Sequence, residues 1–234
     1  SSRTQVENAL DDSSRLVRLD AAWALSESLP ESGAARQELD VYLAEAAGQP
    51  AGRLRLAQDL FNRGRIDEAI AHMRTAIEWD ALSPALPENL GLMLSAQGRA
   101  AEAARAFERA VELDTAAARP ALYAALAWSE AGDLSRAENM LGVALRRDPT
   151  LARGWYNLGL LQAQTGRAQQ AIVSLMEAER LAVDDADIPY ALATVLAQNG
   201  REQEALAAAR RALVDNPDHA PAAQLLRQLG ATVP

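Results

Sequence analysis

The 234-residue chain has no cysteine, only two histidines and no lysine, so each of its 23 basic side chains is an arginine. These absences remove much chemistry at once. Without cysteine there is no thiolate nucleophile, no cysteine-bound zinc or iron–sulfur cluster, no disulfide and no covalent haem attachment. Without lysine there is no Schiff base and no phosphate-binding lysine. The missing cysteines say nothing about redox compartment, because thiols and disulfides are absent alike. No apolar run approaches the roughly 20 residues needed to span a bilayer, and nothing in these residues leads one to expect a signal peptide. The 32 acids give a net charge of −9, which disfavours nucleic acid or an anionic membrane as a general partner, since attraction to phosphate needs a basic face. A soluble protein without membrane insertion is expected, and cytoplasm and periplasm both stay open. The chain opens on Ser1-Ser2 without an initiator Met, as a trimmed or processed product would.

What is abundant is alanine and leucine, 52 and 34 residues, against two Phe, four Tyr and four Trp. That is the composition of close-packed helices rather than sheets, and an all-α fold is expected. The alanine–arginine bias also suggests a high-GC bacterial gene. Self-similarity organises the rest. Gly64, Gly98, Gly132, Gly166 and Gly200 follow one another at 34-residue steps. Five residues after each comes Ala69, Ala103, Ala137, Ala171 or Ala205, and twelve after each comes Ala76, Ala110, Ala144, Ala178 or Ala212. Eight before, Leu56, Leu90, Leu158 and Leu192 recur, with Ala124 in the third unit, each followed by a small residue: Ala57, Gly91, Ala125, Gly159 or Ala193.

One such unit reads as a helical hairpin. Glycine ends the first helix, because the chain there must enter a conformation that costs other residues a Cβ clash. The two alanine columns lie seven residues apart, hence on one face of the second helix, where a methyl lets a neighbouring backbone approach. Asp148-Pro149 and Asn216-Pro217 stop second helices, since a residue preceding proline is pushed out of the α region.

These columns resemble the tetratricopeptide repeat. The fourth unit is closest, with Trp155, Leu158, Gly159, Gly166, Ala171, Leu175 and Ala178; the second supplies Leu90, Gly91, Gly98, Ala103, Phe107 and Ala110. Pro87 and Pro189 replace the early aromatic, in a first helical turn where a missing N–H is tolerated. The resemblance implies a right-handed superhelical solenoid of antiparallel helix hairpins, with five units over residues 50–83, 84–117, 118–151, 152–185 and 186–219. Residues 220–234 are then a capping helix and tail. Residues 1–49 differ: nine acids against four arginines give them −5 of the net charge, and Pro30 stands where the turn glycine is expected. Two readings stay open. Leu16 to Leu29 and Gly33 to Ala47 form a degenerate sixth hairpin, or the stretch from Leu10-Asp11-Asp12 to Leu25 is a HEAT-like remnant, which would make the chain the carboxy-terminal part of a larger protein.

Catalytic constellations are scarce. His72 and Glu68 form an i, i+4 pair, but further converging ligands are missing and a solvated helix face is the simpler reading. His219 suits a helix N-terminus or a loop. Asp184, Asp185 and Asp187 lack the alternating ligands, central glycine and closing glutamate of a calcium loop. Gly154 and Gly159 have phosphate-loop spacing, yet Leu160 and Leu161 stand where Lys and Ser/Thr belong. Neither an enzyme nor a metal or cofactor site is expected.

The resemblance does imply a binding face. In tetratricopeptide proteins the second, fifth, sixth, ninth, twelfth and thirteenth positions of a repeat face the concave groove. In register these include Leu54, Arg55, Gln58 and Phe61; Glu88, Asn89 and Leu92; Arg119, Leu122, Tyr123 and Leu126; Arg153, Tyr156, Asn157 and Leu160; and Asp187, Tyr190 and Thr194. The candidate site is Asn89, Leu92, Arg119, Tyr123, Leu126, Arg153, Tyr156, Asn157, Leu160 and Tyr190. The asparagines offer paired hydrogen bonds to a peptide backbone, the arginines take acidic groups, and the leucine–tyrosine strip takes apolar anchors. Leu54 and Gln58, or Glu88 and Leu92, occupy the fifth and ninth positions where a chaperone-tail clamp needs Lys and Asn, so that partner is disfavoured. The expected function is a noncatalytic scaffold binding a partner's peptide or helix. Two alternatives stand: a homo-oligomerisation module, or an accessory domain of a larger bacterial HEAT and tetratricopeptide protein attached to an enzyme or cytochrome portion. The alanine columns make one prediction on their own: Ala137→Trp should overpack the second helix of the third unit and lower stability by about 1–3 kcal/mol. Thermal melting that matches the parent would show that the columns are misassigned.

Overall fold

A computed structural model describes residues 2–182 and 184–232. Ser1, Val183, Val233 and Pro234, which fall in the expected amino-terminal segment, fourth repeat and tail, lie outside the described residues. Among those described there are fourteen α-helices, one 3₁₀ turn and no strand. The helices gather into two compact units that divide after Asp114. The first holds α1 (Ser2–Asn8), the 3₁₀ turn Ala9–Asp11, α2 (Arg15–Ala24), α3 (Ala34–Ala46), α4 (Pro50–Asn62), α5 (Ile66–Trp79), α6 (Ala85–Ala96) and α7 (Ala100–Leu113). The second holds α8 (Arg119–Glu130), α9 (Leu134–Arg147), α10 (Ala152–Gln164), α11 (Ala168–Leu181), α12 (Asp187–Gln198), α13 (Glu202–Asp215) and α14 (Ala220–Gln228).

The five second helices, α5, α7, α9, α11 and α13, start and end at strict 34-residue steps. The turn before each one sets this spacing. Gly64, Gly98, Gly132, Gly166 and Gly200 all have φ between 69° and 82°, the left-handed region that side chains resist. Each closes the same pair of bonds. Gly64 N–H donates to the Phe61 carbonyl and Arg65 N–H to the Leu60 carbonyl, and the pattern recurs through to Gly200 with Ala197 and Arg201 with Leu196. This is the Schellman closure, which satisfies carbonyls that the end of a helix leaves unpaired. Gly230 repeats it after α14. The expected proline stops also hold: α9 ends at Arg147 before Asp148-Pro149, and α13 at Asp215 before Asn216-Pro217.

Packing explains the alanines. All ten residues of the two alanine columns have no exposed surface. A Cβ added to Gly159 would lie 2.7 Å from Leu175 Cγ and 3.2 Å from the Ala171 carbonyl oxygen, so α10 and α11 meet backbone to backbone at a glycine–alanine contact. At Gly91 the same added atom would strike the Phe107 ring at 2.6 Å. The small column on each first helix is therefore the seat for the second helix of its own hairpin.

The amino-terminal pair is built differently. Helix α2 ends at Ala24, five residues short of the expected Leu29. Pro30 bars a helical conformation at Leu29, and Leu29 N–H closes the turn on the Leu25 carbonyl. The pair has no left-handed glycine: Gly33, at φ −77°, is the N-cap of α3. Charge supplies what the turn lacks. Arg18 makes a two-pronged bond to Glu38 at 2.8 and 2.9 Å. Arg36 on α3, 1% exposed, donates twice to Asp59 on α4, which is fully buried, both at 2.7 Å. Asp40 takes two further bonds from Arg36, and Arg63 extends the network to Asp40, Asp59 and Glu31. Burial pulls the Arg36 guanidinium down, but its bonds to Asp59 and Asp40 outweigh this and hold it above its ordinary value, firmly charged.

Removing one partner of such a pair strands the other as a buried charge. Asp59→Ala should therefore cost about 3–5 kcal/mol in urea denaturation, while the apolar double replacement Arg36→Met with Asp59→Leu should cost far less. Equal losses for the single and double variants would show that the ion pair does not hold α3 on α4.

Candidate functional site

In the carboxy-terminal unit the first helices α8, α10 and α12 carry eight of the ten residues singled out by the register. Their exposure varies by level. Arg119 and Arg153, in the first turns of α8 and α10, are exposed. Tyr123, Tyr156 and Tyr190 are half-buried. Leu126 is half-buried and Leu160 is 37% exposed, so neither is consumed by the core. Leu122, placed on the groove by register, is only 4% exposed and belongs to the core instead.

Leu126, Asn157 and Leu160 come together. They line a cleft of about 190 Å³ between α8 and α10. Its apolar base includes Ala125, Ala137, Leu141 and Leu161, and Ser129 and Gln164 complete its polar edge. The last two follow from the same register rule, at its twelfth and thirteenth positions. Asn157 Nδ2 donates to the Arg153 carbonyl at 2.7 Å, a bond back onto its own helix. The second amino hydrogen and Oδ1 of Asn157 have no partner among the described residues.

Asn89 and Leu92 belong to α6 in the amino-terminal unit. Leu92 is 45% exposed. Asn89 donates to the Ala85 carbonyl at 2.8 Å and accepts from Gln58 Nε2 at 3.3 Å, so a peptide amide at Asn89 has to displace Gln58. Arg55, also expected in the groove, donates to the Tyr42 hydroxyl at 3.0 Å.

At the far edge of the carboxy-terminal unit, Asp187 meets His219, with Oδ1 3.1 Å from Nε2. His219 is 8% exposed, and its Nδ1 accepts the Ala222 N–H as the N-cap of α14, which fixes the proton on Nε2. The Tyr190 ring packs against it at 5.2 Å between centroids. The cap helix is thus tied to the first turn of α12. Burial, with Asp187 and Asp185 adding to it, raises the Tyr156 hydroxyl above its ordinary value against a smaller opposing effect of Arg153. The other histidine, His72, has Nδ1 3.2 Å from Arg53 Nη1. Burial and that arginine lower its proton affinity, so it is neutral at pH 7. Among the described residues no three His, Cys, Asp or Glu side chains gather as a metal ion requires, and no helix is long and apolar enough to cross a membrane.

Hairpins at a fixed 34-residue step, each turned on a left-handed glycine and each leaving one face of its first helix uncovered, define an α–α solenoid repeat protein. The tetratricopeptide repeat model matches residues 54–127 and 122–186, more than half of the sequence, and the chain belongs to that family. Solved structures share the fold. The carboxy-terminal part of a tetratricopeptide repeat protein from Cytophaga hutchinsonii aligns with a TM-score of 0.74 at 15% identity, over 96% of this chain and 92% of that one. YrrB, described as a tetratricopeptide protein with an unusual peptide-binding site, aligns at 0.67 and 17% identity, over 80% and 97%. MamA from Desulfovibrio magneticus aligns at 0.66 and 15% identity, over 73% and 97%. No curated protein sequence matches the chain.

The Tyr156 environment can be read in solution. In ultraviolet pH titration, Asp187→Asn should bring the Tyr156 phenol back toward the ordinary value of about 10. Tyr156→Phe assigns which of the four tyrosines is moving. An unmoved titration would mean that Asp187 does not act on that hydroxyl.

Proposed function

We propose that the protein is a noncatalytic scaffold that holds a peptide segment of a protein partner along α8, α10 and α12. The observation that carries this reading is the cleft between α8 and α10. Two leucines that stacking leaves uncovered stand beside half-buried tyrosines, and Arg153 and Arg119 stand at the head of the helices. The chemistry suits a short apolar–acidic sequence. An apolar side chain enters between Leu126 and Leu160, the peptide backbone meets Asn157 and the Tyr156 hydroxyl, and a carboxylate approaches Arg153. The peptide-binding description of YrrB supports the class of ligand but names none for this chain. Residues 50–219 as five repeats, with an amino-terminal helical segment before them and a cap after them, are the framework of this proposal.

Selection of displayed random peptides on the immobilised protein should enrich sequences combining an apolar residue with Asp or Glu. The paired change Arg153→Ala with Asn157→Ala should then weaken the best peptide about tenfold or more, with an unchanged helical circular dichroism signal. Undiminished affinity would remove this site.

A further inference from the structure

The opposite side of the carboxy-terminal unit carries a second surface that stacking does not explain. On the second helices α11 and α13, Val173, Met176 and Val214 are 58%, 56% and 79% exposed. Met176 and Val214 line a hollow of about 440 Å³ together with Glu179, Arg180, Arg211 and Asp215. The repeats themselves provide the comparison. At the column of Met176 the other units carry Arg74, Glu108, Gly142 and Arg210; at that of Val173, Ala71, Arg105, Asn139 and Ala207; at that of Val214, Glu78, Glu112, Arg146 and Arg180. Hairpin packing therefore tolerates charge or a small side chain at all three columns, and the large apolar residues are concentrated where α11 and α13 lie side by side.

The charges around the patch point to its occupant. Arg211 bonds to Glu179 at 2.6 and 3.1 Å across the two helices, and Arg180 bonds to Glu177 within α11. Arg210 and Asp215, one of each sign, are exposed on α13 and have no partner among the described residues. Asp215 also closes the last turn of α13, where the helix dipole disfavours an acid, so the helix itself gains nothing from it. A surface with an apolar centre and one spare charge of each sign complements itself under a two-fold axis, which sets each Arg210 against the other copy's Asp215 and each Asp215 against the other's Arg210.

We propose that this face of α11 and α13 is an isologous contact between two copies of the chain, independent of the peptide-binding groove. Apolar side chains of one copy fill the hollow of the other, and the two Arg210–Asp215 pairs set the register. Three large apolar side chains and two charge pairs are few beside the roughly 20–30 residues a side of a standard interface, so the dimer is weak and association grows with concentration.

Sedimentation equilibrium of the full chain tests this directly. The average mass should climb with concentration from 25.1 kDa toward twice that value. Met176→Glu with Val214→Glu should leave a monomer throughout, with unchanged circular dichroism. Arg210→Asp and Asp215→Arg should each weaken association about fivefold, and the two together should restore it, since a two-fold contact regains both pairs. A parent that stays monomeric at every concentration, as it would if a different protein used this face, overturns the proposal. So does a dimer that survives the glutamates, or one that the combined charge exchange fails to restore.

Discussion

Close approach of helix backbones is the constraint on which the rest of the structure depends. Helices can meet at a carbonyl-to-glycine distance only where side chains are a methyl or less, and α10 and α11 do so at Gly159 and Ala171. The alanine columns have no exposed surface at any of their ten positions, so they are structural wherever they occur. Once five hairpins are held by residues this small, the long side chains are displaced to two places. Some fill the space between the two helices of a hairpin, as Phe107 does over Gly91 and Leu175 over Gly159. Others are left on the outward faces, as Leu160 and Met176 are.

The 34-residue step was legible in the sequence because both of its determinants are local. A turn glycine needs a positive φ, and an alanine column needs a period, and each leaves a mark in the residue string. The helices stopped by Asp148-Pro149 and Asn216-Pro217 were legible for the same reason. The buried pair Arg36–Asp59 was not, because its partners lie 23 residues apart and nothing local distinguishes them from solvated charges. The length of α2 was overread, since hydrophobic periodicity continues to Leu29 although Pro30 has already closed the helix. Leu122 marks the limit of reading a site by register. A repeat position fixes a side chain's direction but not the depth of its surroundings, and the fifth position lies at the border of groove and core: Leu54, Tyr156 and Tyr190 are half-buried there, whereas Leu122 is inside.

The charge distribution refines the picture drawn from composition. A net of −9 masks cations at defined places: Arg36 deep between α3 and α4, where it supports the fold, and Arg153 at the head of α10, where no bond with the described residues occupies it. Arginine suits both roles because its planar fork bonds carboxylates in pairs. The absence of lysine thus has a structural counterpart: every cation here is one that can brace two helices or clamp a carboxylate. The same helices divide the labour on the carboxy-terminal unit. First helices present tyrosine, leucine and asparagine, and the second helices of the last two repeats present valine and methionine.

Hydrogen–deuterium exchange with and without a selected peptide tests the central claim, that the first helices of the carboxy-terminal unit form the binding face. Slowed exchange should be confined to α8, α10 and α12, strongest over residues 153–161, with α11 and α13 unchanged at fixed protein concentration. Protection that appears on α11 and α13 while α8, α10 and α12 exchange as in the free protein would contradict it.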